Sequence, residues 1–401
     1  MATTGSARRA AAAAAAGLAG LVVAAIAGCG TRPSQPAAAD AWPAWSALCP
    51  VPPPPSLAAQ LARTVPESLD GEVVPLGLSA NGRTAYVSAW TPGFSGVAAL
   101  NLRGGGIRHI QPFPDPAVDQ ADGSSGARWL AWEQTVSLQS LDDFTVYDWD
   151  SVTGRLRTLG HSLAGPDGTP WPSPWRAPAV SGSYAAWAQG YGPGGEVEIR
   201  LADLATGQVR VIREGHTQPP FFDRDLVVWP ESDRPGAETS LRAFGLTTGR
   251  PAALPAVLRG VRGTDFVVTD GVRTAYLSPD LTSLYYSPAQ RLRARAVLRL
   301  PAGDYFADLA MGAGTLSWTT TAATYLASTK TGAYAAVTPQ YGDAIGSGSG
   351  VVISDASAQK VAHPILPMHV IIQAGLDWPS CGTRSERRAL AGVGAPTSGG
   401  P

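Results

Sequence analysis

Several groups of residues in this chain have the types that could do chemistry. Asp115, Asp119 and Asp122 crowd into PDPAVDQADG, and Asp142, Asp143, Asp148 and Asp150 follow in LDDFTVYDWD. Oxygen ligands at that density can hold calcium, but the spacing is not that of an EF-hand loop. Asp before Gly is also ordinary turn chemistry. Gly190-Tyr191-Gly192-Pro193-Gly194-Gly195 matches G-x-G-x-x-G. A dinucleotide site needs that loop to open a helix, so that phosphate meets the helix N-terminus. Here Glu196 to Leu201 alternates like a strand, so the glycines read as a hairpin loop. The histidines at 109, 161, 216, 363 and 369 form no H-E-x-x-H, and no cysteine lies near them at zinc spacing. No G-x-S-x-G elbow occurs. No catalytic residue, metal or cofactor is singled out. A hydrolase using paired carboxylates stays open, because separation in space is not legible in a sequence.

Aromatic residues beside arginine are the better candidates. HSLAGPDGTPWPSPWRAP, EGHTQPPFFDRD and QPFPDPAVDQADGSSG read as long connections. Loops longer than structure requires are where function concentrates. They carry Trp171, Trp175, Arg176, His216, Phe221 and Phe222. Such a set can stack on sugar rings or grip a protein. The plainer role for Trp171 and Trp175 is to plug a ring or cover a sheet edge.

A repeat must position these loops. Residues 183–212 run SYAAWAQ, a glycine-rich gap, then LADLATGQVRVI. The pattern is a short apolar run closed by an aromatic, a polar gap, a second run, a Thr-Gly turn and a third run. It recurs at 128–160 and 225–254, with weaker copies at 82–110 and after residue 271. Tyr86, Trp132, Trp187, Trp229, Tyr276, Trp318 and Val352 mark its register, at steps near those of propeller blades. Alternation bounded by Gly, Pro, Asp and Asn predicts strands. One helix is expected, from Ser56 to Val65, with Ser56 as N-cap. The predicted fold is all-β: a β-propeller of seven four-stranded blades, with six or eight possible and a two-sheet sandwich as the rival. The marker aromatics would pack between blades. Short Thr-Gly turns would lie on one face of the ring and the long loops on the other.

Trp187…Asp203-Leu204-Ala205-Thr206-Gly207, with Trp132…Thr153-Gly154 and Trp229…Thr248-Gly249, resembles the TolB-type and tryptophan–aspartate-type propellers of bacterial envelopes. The resemblance spans about residues 72–372. It departs from the TolB pattern at its Ser-Pro-Asp-Gly turn, for which the nearest text is Ser79-Ala80-Asn81-Gly82 and Ser278-Pro279-Asp280. It implies a fold and says little about activity.

The ends suggest a compartment. Arg8 and Arg9 precede a small apolar stretch, Ala10 to Ala27, that ends Ile26-Ala27-Gly28-Cys29. This is the form of a secretory signal, and the ending resembles the bacterial lipobox, which implies diacylglycerol on Cys29. A membrane span is the alternative. Cys49 and Cys381 remain, an even pair flanking the repeats; in an exported chain they read as a disulfide, or else as two free thiols. The expected organisation is a signal peptide over 1–28, a Pro/Ala-rich tether with the helix over 29–70, the propeller over 71–372, and a clasp and tail over 373–401. Net charge is −1 and there is no basic stripe for nucleic acid, so no nucleic-acid partner is expected. The expected function is a lipid-anchored, extracytoplasmic, non-catalytic module that binds the membrane through its lipid and an envelope protein or glycan through its loops. The alternative is a propeller lyase or hydrolase acting on an extracellular substrate.

Overall fold

The computed structural model describes residues 47–62, 64–65, 72–103, 105–115, 120–135, 142–174, 176–312, 314–338, 344–346, 350–354, 368–372 and 376–381. The expectations for the leader, Cys29, Asp119, Trp175 and the tail concern residues outside this set.

Three short elements come first: β1 (Cys49–Pro50), helix α1 (Pro55–Leu61) and β2 (Thr64–Val65). The remaining strands fall into consecutive up-and-down groups. Unit 1 is β3 (Glu72–Leu78), β4 (Thr84–Thr91), β5 (Phe94–Asn101) and β6 (Ile107–Pro112). Unit 2 is β7 (Gln120–Ser125), β8 (Trp129–Thr135), β9 (Phe144–Asp150) and β10 (Leu156–His161). Unit 3 is β11 (Ala179–Ser181), β12 (Tyr184–Gly190), β13 (Val197–Asp203) and β14 (Gln208–Thr217). Unit 4 is β15 (Phe221–Asp223), β16 (Leu226–Ser232), β17 (Ser240–Gly245) and β18 (Arg250–Pro251). Unit 5 is β19 (Val267–Thr269), β20 (Thr274–Leu277), β21 (Ser283–Ser287) and β22 (Arg295–Arg299). Unit 6 is β23 (Phe306–Gly312), β24 (Thr315–Thr320), β25 (Thr324–Ser328) and β26 (Ala333–Thr338). Unit 7 is β27 (Ala344–Gly346), β28 (Gly350–Ser354) and β29 (Met368–Ile372). The N-terminal β2 completes it, pairing antiparallel with β29 through Thr64↔His369 and Val65↔Met368.

The first strands of successive units touch in the order β3, β7, β11, β15, β19, β23, β27, and β27 touches β3 again. They therefore line the inside of a ring. Two seams are tight enough to require glycine. A Cβ on Gly77 would meet Ser125 Oγ at 2.3 Å, and one on Gly346 would meet the Met311 carbonyl at 2.2 Å. Units 3 and 4 merge into one sheet, because the end of β14 pairs with β16 through His216↔Ser232 and Thr217↔Glu231.

The Thr-Gly turns join the third and fourth strands of their units. Gly154, Gly207 and Gly249 adopt φ of +74°, +83° and +64°, a region that favours glycine. Each donates its N–H to the carbonyl four positions back in the turn: Asp150, Asp203 and Gly245. Gly332 repeats the device, with φ of +74° and a bond to Ser328.

The second strand of most units is buried on both faces, as in β8 and β24. That explains the apolar runs that the sequence shows there. Trp187 packs on Trp129 and Phe144 of unit 2, Trp229 on Ile199 and Leu201 of unit 3, and Trp318 on Leu284 and Tyr286 of unit 5. These aromatics seal a unit against its predecessor. Tyr86 and Val352 face the other way. Tyr86 shares a cluster with Trp132 of the following unit, and Val352 packs on Val87 of unit 1. Both still pack between adjacent units, on the strand face opposite to the one the tryptophans use, since neighbouring strand residues point to opposite faces.

The chain ends depart from expectation in the helix and the tether, but not in the disulfide. The helix is shorter than Ser56 to Val65: it begins at Pro55, has Pro54 at its N-cap with no side-chain cap, and stops at Leu61. Ser56 Oγ instead accepts the Asp377 N–H at 3.0 Å. Residues 47–62, expected as part of the tether, pack onto the fold. β1 pairs parallel with β26, Leu48 N–H donates to the Val297 carbonyl at 3.0 Å, and Leu57 is fully buried. Cys49 and Cys381 are joined by a disulfide, with Cα atoms 5.9 Å apart. It clasps the edge of unit 6, beside Trp378 and Leu326.

Candidate functional site

The ring encloses a channel of about 700 Å³. Its wall comes from the inner strands: Val74 and Pro75 of β3, Ala121 to Ser125 of β7, Val267 to Thr269 of β19, Ala307 to Met311 of β23, and β27. Small side chains dominate because the inner strands converge. The larger groups gather at Pro219, Pro220, Phe221 and Phe222, on and just before β15.

Arg176 is the cation of this wall among the described residues. It lies near the end of the 162–178 connection. From there it reaches unit 5, donating Nη1 to the Asp265 carbonyl at 3.2 Å with its guanidinium 5.4 Å from the Phe266 ring centre. The next residues are held on the other side. Ala177 N–H donates to Asp122 Oδ2 at 3.2 Å, and Ser124 Oγ donates to the Pro178 carbonyl. The 176–178 segment therefore bridges β7 and the entry to β19 along the channel. Asp265 and Asp308 add carboxylates to the same wall.

Behind Asp122 lies a second carboxyl that the sequence reading passed over. Glu133 sits opposite Asp122 in the β7–β8 ladder, is 1% exposed, and neither carboxylate oxygen has a hydrogen-bond partner among the described residues. Burial pushes its pKa well above the ordinary value, and the nearby Asp122 charge adds to that. A signal was present: Glu133 is the one charge in the apolar run WLAWEQT.

The other named residues separate. Phe222 lines the channel with Arg176. His216 does not. It lies at the end of β14 beside a separate groove of about 330 Å³ formed with Pro172, Ser173, Gly194 and Pro235. Trp171 lies over Gly165 within its own connection, where its N–H donates to the Leu163 carbonyl at 2.8 Å. Two of the three long connections are shorter than expected. EGHTQPPFFDRD contains the end of β14 and all of β15, and QPFPDPAVDQADGSSG contains β7. Phe221 and Phe222 are strand residues for that reason. The glycine-rich segment 190–195 joins β12 to β13 as a hairpin, with Gly194 N–H bonded to Glu196 Oε2 at 2.8 Å. Of the acidic cluster, Asp122 is committed to the channel wall. Among the described residues no three His, Cys, Asp or Glu side chains converge as a metal site would require.

No protein-family model matches the sequence, and no curated protein is similar to it in sequence. Solved structures are similar in fold. An oligogalacturonate lyase from Vibrio parahaemolyticus superposes with a TM-score of 0.51 at 11% identity, over 77% of this chain and 96% of that one. The β-propeller domain of the trilobed protease from Pyrococcus furiosus gives 0.39 at 12% identity, over 63% and 92%. A putative TolB from Agrobacterium tumefaciens gives 0.37 at 13% identity, over 57% and 80%. The chain has the β-propeller fold. At these identities the likeness concerns the fold alone, and the propeller's function must be argued from its own residues.

Proposed function

We propose that this propeller is a binding module, seven-bladed by the count of its units, held on the extracytoplasmic side of a membrane by lipid on Cys29. Its partner is an envelope protein or glycan that enters the channel mouth. The observation that supports this most is the pairing of an apolar lip, Pro219 to Phe222, with the Arg176 guanidinium on one open channel of about 700 Å³. An apolar lip with a nearby fixed cation suits a partner that presents a ring or aromatic group beside a carboxylate or carbonyl. Arg176→Ala should weaken binding to isolated envelope components at least tenfold, the scale of a binding anchor, and leave the unfolding midpoint within a degree or two. Unchanged affinity would remove Arg176 from the interface. The anchor has its own test: mass spectrometry of the mature protein should find a diacylglycerol-modified Cys29 at its N-terminus, and a chain starting elsewhere contradicts it.

A second reading, a propeller enzyme, has one specific observation in its favour. Asp122 in the channel wall and Glu133 behind it are two carboxyl groups with unequal environments, the arrangement from which acid–base pairs are made. Turnover of an extracellular saccharide that Asp122→Asn abolishes would establish that reading.

A further inference from the structure

The arginines of this protein are unevenly placed. Residues 239–264 contain Arg242, Arg250, Arg259 and Arg262 and no acidic residue. Residues 281–303 contain Arg291, Arg293, Arg295 and Arg299 and again no acidic residue. All of these arginines are exposed. The topology brings the two segments together. The first covers β17, β18 and the connection that follows; the second covers β21 and β22. Val257 N–H donates to the Gln290 carbonyl at 3.0 Å, and Val257, Leu258 and Val261 are buried against Ala294. The outer rim of units 4 and 5 therefore gathers eight exposed arginines, with the exposed Glu238 side chain against Gly263 at its edge, on a molecule whose net charge is −1. Shielding an edge strand from aggregation needs only a charge or two; it does not call for two segments free of acid.

The path of the chain allows this rim to face the anchored end. The N-terminal segment joins the fold beside it, where Leu48 bonds to Val297 in the middle of β22. About 18 residues separate Cys29 from that point, roughly 60 Å when fully extended. We propose that the outer rim of units 4 and 5 docks on an anionic lipid surface, so that the propeller lies on its side with the channel mouth turned along the membrane. This orientation rests on the lipid anchor proposed for Cys29; the lipid affinity of the rim does not. Arginines near an anionic leaflet are attracted within about a Debye length, so the docking weakens with salt.

The full chain is reconstituted on vesicles of phosphatidylcholine alone and of phosphatidylcholine mixed with phosphatidylglycerol, and amide hydrogen exchange is followed across residues 256–262 and 289–299. Exchange there is expected to be at least threefold slower on the anionic vesicles at low salt, with the difference gone at about 0.5 M salt. The variant carrying Arg291→Gln, Arg293→Gln, Arg295→Gln and Arg299→Gln should lose the difference while unfolding at the same temperature. Equal exchange on both vesicles overturns the proposal. So does equal protection by soluble polyglutamate without lipid, which would assign the rim to an anionic polymer. Failure of the anchor reads out separately, as a chain that does not float with phosphatidylcholine vesicles.

Discussion

Arg157 holds the buried carboxylate of Asp148 with two hydrogen bonds, Nε to Oδ1 at 3.0 Å and Nη2 to Oδ2 at 2.6 Å. The same Nη2 also donates to the Leu204 carbonyl, so one guanidinium ties unit 2 to unit 3. Asp148 has no solvent exposure, and burial raises its pKa against the lowering effect of Arg157. Arg157→Ala would leave that carboxylate uncompensated, at a cost of about 3–5 kcal/mol. Denaturant unfolding measures it, and a loss below ~1 kcal/mol would mean that water reaches Asp148. Replacing both partners by leucine should recover part of the loss.

Glu133 gives a pH signature of opposite sense to most carboxylates. Its folded pKa lies well above the ordinary value, so between the two values the folded protein holds a proton that the unfolded chain has released. Stability therefore falls as pH rises through that window. Glu133→Gln should flatten the fall and be at least as stable as the parent at pH 7. The check is the unfolding midpoint from pH 4 to pH 8; a variant that keeps the parent's slope would show that other groups cause it.

The Cys49–Cys381 disulfide closes a loop of 332 residues. Chain entropy alone puts its contribution at up to ~6 kcal/mol, with typical losses on removal of about 2–5 kcal/mol. Cys49→Ser with Cys381→Ser should lower the unfolding midpoint by several degrees and loosen residues 47–62 first, visible as faster amide exchange at Leu48 and Val51. An unchanged midpoint would mean that β1 and Trp378 hold the segment without the bond.

What the sequence disclosed follows from the physics of its repeat. Trp132, Trp187, Trp229 and Trp318 each needed an apolar neighbour on the preceding unit, so their spacing carried the architecture. Tyr86 and Val352 also lie between units, but toward the following one, a choice of face that an all-apolar strand cannot disclose because it has no alternation to set its phase. Val65 read as helix because its apolar spacing from Leu57 and Leu61 fits one face; pairing with β29 decided otherwise, a contact over 300 residues away in sequence. Of the site, Arg176 and Phe222 could be named as candidates, but not that one wall would hold both while His216 faced a different groove. Glu133 was overlooked because a buried charge in a strand of this kind is identified by its neighbours, and Asp122 is a neighbour only across the ladder.

The most direct test of the channel-mouth assignment is site-specific photocrosslinking in the intact envelope. A crosslinker at Phe222, in the channel wall, is compared with one at Val152, 74% exposed in a Thr-Gly turn outside the channel lining. The account predicts a discrete adduct from position 222 that Arg176→Ala diminishes, and none from position 152. An adduct from position 152 alone, or equal adducts from both that ignore Arg176, would contradict it.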